Sequence, residues 1–238
     1  MTHPVTVLWS VPRTVSTSFE RMVSARGDHT VFDEPFSQAY YYGPERVSDR
    51  YDNDLPDSSA EQVLAAIGRA AEERPVFVKD MAYQAEPYLS AGALGDFRNS
   101  FLVREPASTL RSLHGHWPDF TDAETGWEAL DRAADAVALA GQPLVVVDAA
   151  RLCRDPARVV SAWCDAMGLD FREDALTWEA GMRPEWELWG EWHASTAAST
   201  GFGELGDAAD PPTADEPRLL AAYERAQPVY ERLAALAL

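Results

Sequence analysis

Four short runs, Val5–Trp9, Val76–Val78, Phe101–Val103 and Leu144–Val147, are β-branched, aromatic or otherwise apolar at nearly every residue and show no polar alternation. A strand of that kind hides both faces. Helices packed above and below a parallel sheet provide such cover, through strand–helix–strand units. The segments between the runs supply the helices. Thr17–Ala25 follows the first run, and Ser59 with Gln62 forms a capping-box pattern ahead of Val63, Leu64 and Ile67 on one face. Ala107–His114 follows Pro106, which suits a first helical turn, and Asp119–Ala140 reads as one or two amphipathic helices. Asp155–Met167 stops at Gly168, a residue suited to a helix C-terminus. Thr30–Glu34 adds a short strand ending in Glu34-Pro35, whereas Tyr40–Ser58, with three adjacent tyrosines, Pro44, Pro56 and many Asp, reads as a surface excursion. The expected class is α/β, with three layers (α/β/α) around a central, mainly parallel sheet.

Nothing in the 238 residues divides the chain: there is no Ser/Gly/Pro-rich linker and no internal repeat, so one domain is expected over 1–238. The net charge of −19 opposes nucleic-acid and anionic-membrane surfaces, so an anionic ligand needs a local pocket. No apolar stretch approaches membrane-spanning length and no export signal opens the chain, which leads us to expect a cytoplasmic protein. Cys153 and Cys164 fall in a predicted helical region too far apart for a bridge, so both are expected as free thiols, and no metal site is expected around them.

The chemistry concentrates at Val5–Glu20, where a strand passes through a hydroxyl-rich turn straight into a helix. A helix N-terminus leaves backbone N–H groups unpaired, and the helix dipole adds partial positive charge there. Arg13, Thr14, Ser16, Thr17 and Ser18 add a cation and hydroxyl donors, as a phosphate requires. The same residues also fit an ordinary strand-to-helix turn in which Ser and Thr merely cap. The nucleoside-triphosphate pattern Gly-x-x-x-x-Gly-Lys-Ser/Thr is absent. Of 20 cationic residues only Lys79 is a lysine, at the end of Val76–Val78, and a compact point charge there suits contact with a bridging oxygen. Ligands of open parallel sheets bind at the carboxyl ends of the strands. That rule gathers Arg13, Glu34, Lys79, Asp80 and Arg104 at one edge, with Ser112 two helical turns after Arg104 placed to join a second phosphate site.

These residues resemble the sulfotransferases that use 3′-phosphoadenosine 5′-phosphosulfate (PAPS). Ser10-Val11-Pro12-Arg13-Thr14-Val15-Ser16-Thr17-Ser18 is similar to the family's 5′-phosphosulfate loop, a P-loop-like strand–loop–helix. Phe101–Pro106 with Ser112 resembles its 3′-phosphate motif, in which Ser follows Arg by eight residues. Val145–Leu169, with Asp148, Leu152, Asp155-Pro156 and Gly168-Leu169, resembles a further family pattern. The resemblance implies sulfuryl transfer from PAPS to a small hydroxyl acceptor without a metal, leaving 3′-phosphoadenosine 5′-phosphate (PAP). Pro12–Ser18, Arg104 and Ser112 would hold the donor.

The chain departs from the family at three places. Val15 stands where many members have Gly, and Lys79-Asp80-Met81 keeps the Lys of a Lys-Thr-His motif but not its basic His. Asp33-Glu34-Pro35-Phe36 resembles a bacterial branch in which Glu-Pro supplies the base. The resemblance thus assigns Glu34 as base beside Arg13 and Lys79 as catalytic groups, with Asp80, His114 and His116 next in line. The carboxy-terminal basic clamp is missing; Ser199–Gly203, including Thr200, Gly201 and Phe202, stands in for part of it, within a 180–215 region expected to cover substrate and donor. Tyr40, Tyr41 and Trp192 are further candidates for the acceptor site, whereas His193 among Trp186, Trp189 and Trp192 either lines the acceptor pocket or packs under a loop, with packing favoured. A metal-dependent phosphoryl transferase and a non-catalytic bisphosphate-nucleotide binder remain the alternatives.

Overall fold

The computed structural model describes residues 2–238. Strands β1 (Val5–Ser10), β2 (Thr30–Asp33), β3 (Val76–Met81), β4 (Arg98–Val103) and β5 (Val145–Asp148) form one sheet in the order β2-β3-β1-β4-β5. Every pairing is parallel. In chain order the helices are α1 (Ser16–Arg26), α2 (Pro35–Tyr42), α3 (Ala60–Glu73), α4 (Ala82–Ala85), α5 (Ala91–Gly95), α6 (Pro106–His116), α7 (Trp127–Leu139), α8 (Ala149–Arg154), α9 (Pro156–Met167), α10 (Gly190–Ala197) and α11 (Pro217–Ala234). Among the described residues no helix is long and apolar enough to cross a membrane.

Successive strand residues point to opposite faces, and here both faces are core. Val7, Trp9, Val78, Phe101 and Val146 enter one cluster, together with Tyr41 of α2, Ile67 of α3, Leu130 of α7 and Leu219 of α11. Leu8, Phe77, Leu102 and Val147 enter the other, with Phe19 of α1 and Val160 and Trp163 of α9. This double burial explains the unbroken apolar runs and yields the expected three layers. Phe19 meets Trp163 edge-on at 4.9 Å, and burying each such ring stabilises the fold by about 1.5–3 kcal/mol. The capping box on α3 forms as the spacing predicts, with Ser59 accepting from the Gln62 N–H.

Several local expectations are corrected. The tyrosine run is no surface excursion: Tyr40, Tyr41 and Tyr42 lie in α2 at 5%, 0% and 6% exposure, and only the chain after Gly43 is irregular. Pro35 takes the first turn of that helix, and the rings pack on Tyr83, Tyr51 and Trp189, so burial overrides the turn-like composition. Two strands are longer than their apolar runs. β3 continues through Lys79 and Asp80, both 0% exposed, because carboxylates meet the Lys79 charge and backbone N–H groups meet the Asp80 oxygens. β4 begins at Arg98, and Asn99 is buried in it because its amide accepts from Trp9 Nε1 at 2.8 Å and donates to the Leu94 carbonyl. Cys153 and Cys164, both free, stand on separate helices, α8 and α9, broken at Asp155. The 180–215 region is partly ordered structure, with a 3-10 turn at Pro184–Trp186 ahead of α10.

Candidate active site

Between β1 and α1 the backbone turns through Arg13 (φ 70°) and Val15 (φ 64°), both left-handed. A β-branched residue resists that region by roughly 1–2 kcal/mol, so Val15 takes the glycine-like conformation under strain. The loop is held from within by Thr14, whose hydroxyl donates to the Val11 carbonyl at 2.9 Å. It is also held from β4 and α6. Arg104 donates to the Arg13 carbonyl at 3.1 Å, and Arg13 Nε donates to Ser112 Oγ at 2.8 Å. Burial, and then the nearby Arg104, push Arg13 below its ordinary value, and burial lowers Arg104. Two partly buried guanidiniums side by side favour an anion between them.

Arg13 and Arg104 line a cleft of about 260 Å³ that also receives Pro12, Thr14, Val15, Ser16, Thr17 and Ser18. A different chemistry lines the rest: Met81, Tyr83, Leu113, Trp117, Trp189 and Trp192, with Glu34, Gln84 and His193 as polar groups. Glu34 caps α2 at φ 43°, a third left-handed residue in this cleft. Its N–H donates to the Lys79 carbonyl at 2.7 Å, while its Oε1 accepts from Lys79 Nζ at 2.6 Å and its Oε2 from Gln84 at 3.4 Å.

Lys79 itself does not line the cleft. Its ammonium is enclosed by Glu34, Asp33 and, at 3.8 Å, Glu20. Burial alone depresses a lysine, but Asp33, Glu34 and Glu20 outweigh it and hold Lys79 above its ordinary value. Burial raises Asp33, but Lys79, His193 and a hydrogen bond with Glu20 together outweigh it and hold that carboxyl well below the usual range. Glu20 goes the other way. Burial and the Asp33 charge raise it well above the usual range, and Trp186 Nε1 donates to it at 2.8 Å. Asp33, Glu34 and His193 bring potential metal-binding atoms within 4.8 Å of one another, but the Lys79 ammonium supplies the positive charge between the two carboxylates.

The cover over the loop comes from α10 and the turn before it. Ser18 Oγ meets Thr196 Oγ1 at 3.3 Å, Trp189 Nε1 donates to Ser37 at 2.8 Å, and His193 reaches both Thr17 and Asp33. The Arg13 guanidinium lies 5.6 Å from the Trp192 ring.

A family model of the sulfotransferase domain matches residues 5–237. The chain belongs to the sulfotransferase domain family. The sulfotransferase domain of the Synechococcus PCC 7002 olefin synthase superposes with a TM-score of 0.57 at 19% identity, covering 94% of this chain and 96% of that one. A sulfotransferase from Alicyclobacillus acidocaldarius gives 0.53 at 17% identity over 98% of this chain and 100% of that one. These likenesses show the P-loop-like α/β fold. Among curated proteins, a branched-chain-amino-acid aminotransferase-like protein of Arabidopsis thaliana, number 2, is 29% identical over 199 residues, 82% of this chain. The chain spans about a third of that relative's length, 35%.

The sequence-derived candidates for this sulfotransferase-family site separate into three groups. Pro12–Ser18, Arg104, Glu34 and Trp192 line the cleft, with Ser112 bonded to Arg13 behind it. Lys79 and Asp80 lie beneath: both Asp80 oxygens accept backbone N–H groups, of Phe36 at 2.9 Å and Met81 at 2.8 Å. Burial, and then Glu34, push Asp80 well above the usual carboxylate range. The rest stand away from the cleft wall. Tyr41 bonds Tyr83 at 2.9 Å, His114 packs on Phe120, and His116 is exposed and stacked on Trp192. Thr200, Gly201 and Phe202 pair with Thr177 and Trp178. Sequence reasoning missed Gln84, Tyr83 and Trp117 and took His193 for packing. The three tryptophans around His193 were the available signal, because a histidine amid large buried rings is held in one orientation.

Proposed function

We propose that this chain transfers the sulfuryl group of PAPS to the hydroxyl of a small-molecule acceptor by in-line displacement. The observation that carries the reading is the meeting, in one cleft, of the Arg13 loop, Arg104 and the Glu34 carboxylate, from β-strand ends far apart in sequence. Two partly buried guanidiniums, hydroxyls, and the N-terminus of an eleven-residue helix fit a bisphosphate nucleotide. The donor supplies the sulfuryl group and a phosphate oxygen able to leave with the S–O electron pair.

The chain's own groups do the rest. Glu34 takes the acceptor's proton as the acceptor oxygen bonds to sulfur, a task worth about 10²–10⁴-fold when the base is well placed. Arg13 and the α1 N–H groups stabilise the charge gathering on the leaving oxygen more than the ground-state charge. Lys79 acts through Glu34 as a positioning residue, fixing one carboxylate oxygen so that the other faces the cleft. The aromatic and aliphatic walls exclude water and fit a compact, largely apolar alcohol or phenol.

The test is direct. The chain is incubated with PAPS and a panel of small alcohols and phenols in EDTA, and sulfated product is read by mass spectrometry together with PAP release. Sulfated product despite chelation is expected. Phosphorylation from ATP that requires Mg²⁺, or PAP binding without turnover on any acceptor, overturns the reading.

A further inference from the structure

His193 has both ring nitrogens engaged. Nε2 lies 2.7 Å from Asp33 Oδ2 and Nδ1 lies 3.3 Å from Thr17 Oγ1, and the residue is 2% exposed although it borders the cleft. An ionised carboxylate only accepts hydrogen bonds, so Nε2 carries a proton. The contact between Nδ1 and Thr17 then has two arrangements that differ by one proton. With Nδ1 bare, the Thr17 hydroxyl donates to the ring and presents only lone pairs elsewhere. With Nδ1 protonated, the ring donates to Thr17 Oγ1 and releases the hydroxyl hydrogen. Thr17 is the second residue of α1, in the turn where backbone N–H groups and the dipole gather anions.

We propose that His193 is a proton-linked positioning residue: binding of the anionic donor at the Arg13–Ser18 loop draws a proton from solvent onto Nδ1, turning Thr17 from an acceptor into a donor toward the anion. The inference rests on the reading of that loop as the donor site. An anion needs donors, and it meets one more hydroxyl hydrogen and one more positive charge when the ring is protonated.

The charged surroundings pull both ways: Asp33 favours a protonated ring, whereas the Lys79 ammonium beside Asp33 and the cleft arginines oppose one. From β2, Asp33 touches the ring; from the cap of α2, Glu34 lines the same cleft; from β3, Lys79 pairs with both carboxylates. From α1, Glu20 lies in the Lys79 cluster and is itself pushed toward its neutral form by burial. From the turn preceding α10, Trp186 packs on the ring at 5.3 Å, and Glu185 faces Ser24 and Arg183. Arg13 and Arg104 oppose further positive charge in the cleft until an anion neutralises them, which ties ring protonation to occupancy. Coupling of this kind is reciprocal, so protons tighten the anion as the anion tightens the proton. Once the donor is bound both ring nitrogens carry protons, so neither accepts one from the acceptor alcohol, and that role stays with Glu34.

The experiment is calorimetric titration of the full chain with PAP near pH 7, in buffers of differing ionisation enthalpy, for the unaltered protein and for His193→Gln. The ligand's own protonation cancels in the comparison. The unaltered protein takes up more protons per PAP than the variant, by up to one, and its affinity rises more steeply as pH falls, by up to about tenfold per pH unit. Equal proton uptake and parallel pH profiles overturn the proposal. Should His193→Gln fail to fold, ¹⁵N NMR of the histidine rings in the unaltered protein decides. PAP must move the His193 Nδ1 resonance to the protonated range, and an unmoved signal overturns the inference. Absence of PAP binding by the unaltered protein overturns the donor-site reading and this inference with it, whereas binding without a proton difference overturns this inference alone.

Discussion

Replacing Lys79 with Met tests the buried charge cluster beneath the cleft. Met matches the length of the lysine stem and removes only the charge. The ammonium is fully enclosed and touches Asp33 and Glu34, with Glu20 at 3.8 Å, so its loss leaves at least two carboxylates facing each other without a cation. Removing one partner of a buried ion pair costs about 3–5 kcal/mol, a large part of a typical stability of about 5–15 kcal/mol. For a chain of this length each kcal/mol moves Tm by about 2–4 °C, so Tm falls by about 6–20 °C at neutral pH. The pH dependence gives the sharper check. In the unaltered protein Asp33 is held low by Lys79, so its contribution is present above the unfolded carboxyl value and is lost only in strong acid. In Lys79→Met, burial of Asp33 acts without the cation and raises that carboxyl, so stability is retained below the unfolded carboxyl value, about 4, and lost as pH rises through its raised folded value. The gap between the two proteins therefore narrows as pH is lowered from 7 toward 4. Thermal unfolding followed by circular dichroism across that range measures it. A gap under about 2 °C at pH 7, or one that does not change with pH, refutes the reasoning.

Three further outcomes are expected. Glu34→Gln lowers kcat by about 10²-fold or more while PAP affinity stays within a few-fold, measured by product formation and calorimetry; near-normal turnover moves the base elsewhere. Arg104→Ala removes a cation from the cleft and a hydrogen bond that holds the Arg13 carbonyl, so PAP affinity falls by about 10–100-fold with little change in Tm, since its partner is a carbonyl rather than a buried charge. Ser59→Ala removes the α3 capping box, lowering stability by about 1 kcal/mol and Tm by about 2–4 °C with turnover unchanged, because α3 contributes nothing to the cleft lining.

Much of the site was legible because its parts are local. A strand running into a Ser/Thr-rich helix start is a contiguous signal, and so is Arg104 followed by Pro106 and Ser112; the parallel-sheet rule then sends both to one edge. The capping box on α3 and the left-handed Gly168 (φ 66°) after α9 were readable for the same reason. Lys79 marks the limit. Its rarity pointed to a special role, but whether its ammonium meets a ligand or Glu34 depends on Asp33 and Glu20, which come from two other elements. The tyrosines show a different failure. Three adjacent rings beside Asp and Pro look like an exposed turn until Tyr83, Tyr51 and Trp189 arrive from elsewhere to enclose them.

By itself the sequence determined the α/β layering, through strands apolar on both faces, and marked the hydroxyl-rich strand–loop–helix at Arg13 that we propose as the anion-binding loop. Both are written in contiguous residues, where period and spacing suffice. The tertiary structure alone decided the electrostatic identity of the site. It paired Lys79 with three carboxylates, held Glu34 between Lys79 and Gln84, and seated His193 between Asp33 and Thr17, 160 and 176 residues away along the chain. The physical reason is that the charge state of a group follows from its burial and its nearest charges, and those come from whichever segments the fold brings within a few ångströms.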